Sequence, residues 1–311
     1  MATGFFFHEK YLEHDAGAFH PENARRLQAL LQGLRERKLW DRLSHVTPLP
    51  ATEEQILLAH TKKHFDMIRE AAKKAPVQID PDTRVSSESF EAATLAAGAA
   101  VQGVNGIMEG KYKNAFAAVR PPGHHATRDR AMGFCLFNSI AIAARHLITR
   151  HRLKSVLIMD WDVHHGNGTQ EIFYDDPSVV YISLHKKHHY PGTGWEEERG
   201  SGDAEGTKIN VAVGPPFDPV HYVKLFQRTL TQAESFNPEF VLISCGFDAH
   251  ENDPLGNLGL TSETYGRLTE ILLEFCRQLG HQRIFSILEG GYDYSALAEA
   301  GAIHIQKLLE G

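Results

Sequence analysis

Seven short apolar runs recur along this chain, and they restrict the folds open to it more than any other feature. Each run has five or six residues and is bounded by polar segments, which is typical of a strand buried on both faces, as in a parallel sheet. Longer segments with helical periodicity separate most of the runs. This alternation predicts an α/β fold with a central, mainly parallel sheet flanked by helices. The runs are TGFFF (3–7), AFAAV (115–119), SVLIMD (155–160), VVYISL (179–184), KINVAV (208–213), FVLISC (240–245) and RIFSIL (283–288).

Three of the longer segments carry recognisable helix signals. Residues 87–110 are rich in alanine, with Ser or Thr available as an N-cap and Gly110 as a stop. Residues 137–151 and 260–280 have the same kind of pattern. The chain shows no internal repeat, low-complexity run or Pro/Ser-rich linker. We therefore expect residues 1–311 to form a single domain.

Composition argues against several classes of function. The chain has 32 basic and 39 acidic residues, a net charge of -7, whereas a nucleic-acid platform needs a basic face. Neither a secretion signal nor an apolar run near the ~18 residues of a membrane-spanning helix is present. The three cysteines lie far apart and form no C-x-x-C pair, which favours free thiols in a reducing compartment. We expect a cytoplasmic protein that binds neither nucleic acid nor membrane, and the oligomeric state stays open.

Polar segments follow four of the apolar runs directly. They are RPPGHHA, DWDVHHGNG, GFDAHENDPLG and EGGYD. In open α/β sheets, ligands bind beyond the carboxyl ends of the strands, so the four segments should meet at one rim. Buried carboxylates are costly unless they are paired or bind a metal. If strand geometry continues past the third run, Asp160, Asp162 and His164 share one face.

A metal site is the hypothesis that best explains these polar residues. Asp162 and His164 provide two ligands, and Asp248, just past another strand, can provide the third. Two carboxylates and one imidazole leave a position open for water, as a catalytic Zn²⁺ requires, although Fe²⁺ or Mn²⁺ would also suit them. The alternative is a set of surface charges or a paired buried network. Isolated histidines are interpreted as solvated or capping residues: His60, His151, His221 and His304.

The adjacent histidines His124 and His125 lie in a rigid loop after two prolines and a glycine. A histidine beside a metal-bound water can act as general base and then as general acid. Its second ring nitrogen needs an orienting partner, for which Asp160 and Asn167 are candidates. The alternative is a structural, hydrogen-bonded histidine pair.

Tyr292 follows Glu289-Gly290-Gly291 at the fourth strand end. A phenol in that position can donate a hydrogen bond to an oxyanion as a carbonyl is attacked. A tyrosine in a glycine-rich turn is otherwise usually a packing residue.

Seven motifs occur in a fixed order along the chain: HPENARRL, RPPGHHA, GFCLFNSIAIAA, DWDVHHGNGTQEIF, SLHKKHHYPGTG, GFDAHENDPLG and EGGYD. Together they resemble the zinc-dependent histone deacetylase family, class II type, and its bacterial histone deacetylase-like amidohydrolases. The resemblance extends from His20 to about Tyr292. It implies the three-layer arginase/deacetylase fold, with a central, mainly parallel sheet.

The same resemblance implies catalytic roles. Asp160 would orient His124, the electrostatic partner, and Asn167 would lie toward His125, the general base and acid. Class I members carry Asp at the Asn167 position. Tyr292 matches the transition-state tyrosine; some class II members have His there and are poor acetyl-lysine hydrolases, so Tyr292 favours real deacetylase activity. The implied Zn²⁺ ligands are Asp162, His164 and Asp248, and the implied structural K⁺ site comprises Asp160, Asp162, His164, Ser183 and Leu184.

The resemblance also implies a substrate tunnel. Gly133 and Phe134 match one wall, and Tyr190 matches the opposite aromatic wall, usually Phe, so that the two aromatic faces can hold a lysine stem. Asp82 matches the rim aspartate that binds substrate backbone amides. Acetylpolyamine-specific members place Glu where this chain has Leu255, which favours an acyl-lysine side chain.

We therefore expect a zinc-dependent amidohydrolase that removes acetyl or other acyl groups from lysine side chains of a protein or peptide. The same site acting on acetylpolyamine or another small N-acyl amine stays open, because Glu251 and Asp253 are near Leu255. A non-enzymatic alternative is an acyl-lysine-binding scaffold with a nearly inactive site. An arginase-like enzyme with two manganese ions would need more carboxylates than these loops clearly offer.

Overall fold

A computed structural model describes residues 2–311, and its largest feature is an eight-stranded parallel sheet. The strands are β1 (Ala2–Phe6), β2 (Ser44–Val46), β3 (Val77–Asp80), β4 (Thr83–Val85), β5 (Tyr112–Ala117), β6 (Val156–Asp160), β7 (Val179–Lys186), β8 (Lys208–Val213), β9 (Phe240–Cys245) and β10 (Ile284–Leu288). The sheet order is β2-β1-β5-β10-β9-β6-β7-β8, and every neighbouring pair is parallel. Strands β3 and β4 form a separate antiparallel hairpin. The predicted central parallel sheet is confirmed.

All seven apolar runs form strands of this sheet. Strands β6, β9 and β10 are buried at every position, as expected for strands covered on both faces. Strand β2 was not predicted: it has three partly exposed residues at the sheet edge, too few to give an apolar pattern.

The helices cover both faces of the sheet. They are α1 (Arg25–Glu36), α2 (Glu53–Ile56), α3 (Lys62–Lys73), α4 (Ser89–Met108), α5 (Ser139–Arg150), α6 (Asn167–Ile172), α7 (Pro219–Leu230), α8 (Ser262–Gln278) and α9 (Tyr294–Glu310). Neighbouring residues of β10 show the two faces: a Cβ at Gly103 of α4 would meet the Phe285 ring, whereas Ser286 bonds His304 of α9. Because successive strand residues point to opposite faces, the sheet lies between two helical layers.

The three predicted helices correspond to α4, α5 and α8. The Asn138 side chain caps α5 by accepting a hydrogen bond from the Ala141 amide. Thr261 and Thr264 form a reciprocal cap at the start of α8. Gly280, just past α8, has a φ of +80°, a left-handed conformation that favours glycine.

Two of the isolated histidines, which were predicted to be solvated or capping residues, are buried in the interior. His304 is fully buried, and its ring bonds the hydroxyls of Ser286 and Thr269 at 2.9 and 2.7 Å. His60 is also buried, and its Nε2 accepts a hydrogen bond from the Asn138 amide at 2.8 Å. A single polar residue carries no periodic signal, so the tertiary partners decide its burial.

Within residues 2–311, no helix combines the length and the apolar character needed to cross a membrane. The three cysteines are buried and unpaired.

Candidate active site

Four loops meet because the strands before them are neighbours in the sheet. The strands occur in the order β5, β10, β9, β6, and the carboxyl ends of parallel strands lie at the same edge. The loops that leave these ends begin at Ala118, Glu289, Gly246 and Trp161. The fold therefore gathers the polar segments singled out from the sequence.

Asp162, His164 and Asp248 form a buried cluster whose potential ligand atoms all lie within 4.8 Å of one another. His164 Nδ1 lies 3.0 Å from Asp162 Oδ1 and 3.2 Å from Asp248 Oδ2. Strand β6 ends at Asp160, so Asp162 and His164 lie in the following loop rather than on a continuing strand. Asp160 turns instead toward His124.

The cluster has the properties of a cation site. Asp248 Oδ2 is buried and makes no well-directed hydrogen bond among the described residues, although His164 Nδ1 lies 3.2 Å away. Burial and the neighbouring Asp162 carboxylate raise the pKa of Asp248 to about 7, because two buried like charges repel each other. A divalent cation would relieve both problems. Two carboxylates and one imidazole form a donor set that fits Zn²⁺ and also Fe²⁺.

Glycine at position 290 keeps a space open beside this cluster. A Cβ there would lie 2.7 Å from Asp162 Oδ2 and 2.7 Å from Asp248 Cγ, closer than side-chain atoms pack. The Gly290 amide donates to Asp162 Oδ2 at 2.8 Å. The loop after β10 therefore approaches two of the three candidate ligands with its main chain.

The two adjacent histidines are oriented by different partners. His124 Nδ1 donates to Asp160 Oδ2 at 3.0 Å, and the Tyr181 hydroxyl donates to the same oxygen at 3.0 Å. His125 Nδ1 lies 2.8 Å from Asn167 Oδ1. A carbonyl oxygen can only accept, so Nδ1 of His125 carries the hydrogen and Nε2 keeps a free lone pair.

The surroundings separate the proton affinities of the pair. Burial alone would lower the pKa of His124, but the carboxylates of Asp162, Asp160 and Glu289 outweigh it and raise that pKa to about 10. Burial, together with the positive charges of His124 and His164, lowers the pKa of His125 well below its usual range. Without a bound metal ion, these surroundings favour a protonated His124 and a neutral His125.

Glu289, which the sequence reasoning did not single out, fastens the histidine loop. Its Oε2 accepts hydrogen bonds from the amides of Gly123 and His124, at 2.6 and 3.1 Å. Gly133 packs against His125: its φ is +57°, and a Cβ there would lie 2.7 Å from His125 Cγ. The only sequence signal for Glu289 was its place in the EGGYD motif.

Arg26 was likewise missed as a functional residue, although it lies in the HPENARRL motif. Its guanidinium is fully buried and lies 4.9 Å from the centroid of the Tyr292 ring. It donates to the carbonyl oxygens of Gly291 and Glu289, at 2.6 and 2.5 Å. Glu22, an acceptor for Arg26 and also for the buried Arg120, balances the charge.

A cavity of about 210 Å³ opens onto the adjacent histidines and the candidate ligand His164. All five residues predicted to bind substrate line it, as do both histidines and Tyr292. His189 was not predicted; its ring stacks on that of His164 with centroids 4.9 Å apart, and the HHYPGTG motif was its only signal. The lining residues are Asp82, Pro122, His124, His125, Gly133, Phe134, His164, His189, Tyr190, Leu255, Gly290 and Tyr292.

Comparison with known proteins settles the family. The model of a family described as "Histone deacetylase domain" matches residues 20–308. The chain belongs to the histone deacetylase family. It is 40% identical to histone deacetylase 15 of Arabidopsis thaliana over 93% of this chain, and 37% identical to a protein of Archaeoglobus fulgidus named "Probable deacetylase" over 94% of this chain. Human histone deacetylase 9 is 36% identical over 99% of this chain.

A solved structure supports the same assignment. The crystal structure titled "HDA15 HD domain" superposes with a TM-score of 0.93 at 38% identity, covering 99% of this chain and 91% of the other. The arginase/deacetylase fold inferred for this histone deacetylase family member is thereby confirmed. The chain spans 82% of the archaeal relative, but 53% of the plant protein and 34% of the human one. Family membership supports a deacetylase, and hence a hydrolase, activity.

The predicted monovalent-cation site involves residues of the neighbouring strands β6 and β7. Asp160 is paired with Ser183 across β6 and β7, and both are fully buried. The Leu184 carbonyl oxygen accepts a hydrogen bond from the Tyr222 hydroxyl at 3.3 Å. The fold thus brings the end of β6 beside residues 183 and 184 of β7, and the occupation of this site by K⁺ stays a prediction.

Proposed function

We propose that this protein is a zinc-dependent amidohydrolase that removes acetyl or other acyl groups from lysine side chains of proteins or peptides. One observation carries the proposal: the cluster of Asp162, His164 and Asp248 reaches the cavity through His164, and His125 and Tyr292 line the same cavity. The relatives named deacetylases support the reaction class.

Asp162, His164 and Asp248 would hold the divalent ion. When bound, Zn²⁺ supplies a Lewis acid for the amide carbonyl and lowers the pKa of a water to roughly 7. Fe²⁺ is compatible with the same donors. The buried carboxylate oxygen of Asp248 that makes no well-directed hydrogen bond supports this assignment.

His125 is the general base and then the general acid. Its Nδ1 hydrogen is engaged by Asn167, so Nε2 accepts the proton of the attacking water. The same nitrogen returns the proton to the departing lysine amine, which completes the hydrolysis of the C–N bond. The cationic His124, oriented by Asp160, stabilises the negative charge that develops in the cavity.

Tyr292 stabilises the oxyanion of the tetrahedral intermediate. Burial raises the pKa of its phenol well above the usual range, so the hydroxyl stays protonated and can donate. The Arg26 guanidinium packs over the face of the Tyr292 ring and restricts the movement of this side chain. A fixed donor of this kind favours the transition state over the planar substrate.

The cavity walls favour a lysine side chain. Phe134 and Tyr190 supply the apolar surfaces for its methylene stem. Asp82 at the rim would accept hydrogen bonds from the substrate backbone. Leu255 lines the cavity where a carboxylate would select a polyamine. Asp253 does not offer that charge, because it is only 2% exposed and accepts backbone hydrogen bonds.

Two finer assignments complete the proposal. We propose K⁺ for the site around Asp160, Ser183 and Leu184, supported by their burial and by the pairing of Asp160 with Ser183 across β6 and β7. We also propose a cytoplasmic location, supported by three free cysteines.

A turnover screen tests the proposed reaction. Zinc-loaded protein is assayed with acetyl-lysine peptides, peptides bearing longer acyl chains, and acetylspermidine. We expect acyl-lysine hydrolysis to exceed acetylspermidine hydrolysis, and Tyr292→Phe to lower kcat about 10²–10³-fold. Tyr174→Phe removes a hydroxyl outside the cavity and should leave the rate unchanged. Acetylspermidine as the better substrate would favour the polyamine alternative, and no turnover on any substrate would favour the binding scaffold.

A further inference from the structure

Tyr292 follows two glycines, so its side chain cannot be positioned by local stiffness. Gly291 has a φ of +120°, a conformation open almost only to glycine. The segment must instead be held by contacts to other elements. Arg26 holds the carbonyl groups of Glu289 and Gly291, and Asp162 holds the Gly290 amide. These contacts involve residues 289–291, and the amide of Tyr292 itself has a different partner.

That partner is the side chain of Asp253, in the loop after β9. Asp253 Oδ2 accepts hydrogen bonds from the Tyr292 amide at 2.6 Å and from the Asp293 amide at 3.2 Å. Its other oxygen accepts from the amides of Leu255 and Gly256, at 2.9 and 3.0 Å. One carboxylate therefore joins the loop that carries Tyr292 to the loop that carries a cavity wall.

Among the described residues, the Asp253 carboxylate accepts hydrogen bonds only from main-chain amides. It is 2% exposed and does not line the cavity. No Lys, Arg or His nitrogen in residues 2–311 lies within 4.0 Å of it. Its charge is balanced by four backbone amides, one of which precedes helix α9, where the helix dipole favours an anion. Such a carboxylate fixes main chain and takes no part in the chemistry itself.

We propose that Asp253 is the positioning residue for the Tyr292 hydroxyl and that it acts through the main chain. The inference rests on the proposed role of Tyr292 in hydrolysis. Displacement of the Tyr292 amide moves the phenol away from the oxyanion, and a misplacement of about 1 Å can cost about 10²-fold in rate. The same carboxylate couples Tyr292 to Leu255, so the catalytic donor and the cavity wall move together.

A double-mutant cycle separates positioning from general support of the fold. Asp253→Asn keeps the size of the side chain but replaces one carboxylate oxygen by an NH₂ group. This group cannot accept the hydrogen bonds of the two backbone amides that face it. We expect kcat to fall about 30-fold in the protein that retains Tyr292, and by less than about 3-fold when Tyr292→Phe is already present. Glu263→Gln removes an exposed carboxyl in the first turn of α8 and serves as the matched control, with no expected change.

Equal losses from Asp253→Asn in the two backgrounds, or no loss in either, would overturn the proposal. If Asp253→Asn fails to fold, Asp253→Glu replaces it, because this variant keeps the charge and displaces it by one methylene. We again expect kcat to fall in the protein that retains Tyr292 but not in the protein with Tyr292→Phe. Zinc content is measured in each variant, and a loss of activity that follows lost zinc also counts against positioning.

Amide hydrogen exchange keeps this inference separate from the proposed function. In Asp253→Asn, the peptide covering residues 289–293 should exchange at least about 10-fold faster, while the interior of α9 is unchanged. Faster exchange in a protein that hydrolyses no substrate would refute the proposed function and leave the anchoring intact. Unchanged exchange would refute the anchoring, whatever the activity.

Discussion

The glycine at position 290 provides the sharpest structural prediction. A Cβ added there would lie 2.7 Å from Asp162 Oδ2 and 2.7 Å from Asp248 Cγ, whereas ordinary contacts begin at 3.4 Å. The added Cβ would come closer still to Asp248 Oδ2, so Gly290→Ala must displace these candidate ligands, or the loop, by more than about 0.7 Å. Metal–ligand distances tolerate only about 0.2 Å. We expect the affinity for Zn²⁺ to fall at least about 100-fold, which corresponds to about 2.8 kcal/mol.

Competition with a chromophoric chelator measures this affinity directly. Gly214→Ala is the matched control, since no atom lies within 4 Å of the added Cβ and its φ is not in the left-handed region. The control should bind Zn²⁺ like the unaltered protein. A Gly290→Ala protein that folds and binds Zn²⁺ with unaltered affinity would refute the close approach of this loop to the metal site.

Three further outcomes are expected. Glu22→Gln leaves the buried Arg120 without its carboxylate and should lower the free energy of unfolding by about 3–5 kcal/mol in a denaturant titration; Glu13→Gln, which removes an exposed partner of Lys10, should change it by less than about 1 kcal/mol. Burial lowers the pKa of His304 to about 3, so the stability that the neutral ring contributes is present above pH ~6.5 and is lost as the pH falls. When the pH is lowered from 7 to 5, the free energy of unfolding should therefore decrease by about 2 kcal/mol less in His304→Gln than in the unaltered protein. Chelation should destabilise the protein, because Zn²⁺ at 100 times its Kd adds about 2.7 kcal/mol, measured as a shift in thermal unfolding.

The strands of the sheet were accessible from the sequence because burial on both faces leaves a continuous apolar run. The run SVLIMD predicted β6 within one residue at its start. Strand β2 and the β3–β4 hairpin could not be found in this way, because they are short and only partly buried. Edge strands of three or four residues depend on their neighbours rather than on their own pattern.

The gathering of the site residues was also predictable, since parallel strands deliver their loops to one edge. The premise that strand alternation continues past Asp160 was wrong, because β6 ends there and Asp162 and His164 lie in the following loop. Asp160 bonds His124, in agreement with the role that the resemblance implied for it.

Buried polar residues that act on the main chain escaped the sequence reasoning altogether. Arg26, Glu289 and Asp253 each bind backbone groups of another loop. Neither residue spacing nor periodicity encodes such contacts, because they depend on where distant segments meet in the fold. Charged residues are usually exposed, so these three can be distinguished from surface charges only when their burial is known.

The position of the metal is the most direct test of the account. Crystals of the zinc-loaded protein, measured at the zinc absorption edge, should show one anomalous peak within coordination distance of an Asp162 oxygen, His164 Nδ1 and an Asp248 oxygen. A peak that leaves out any of these three side chains, or that lies outside the cavity, would contradict the proposed hydrolytic centre.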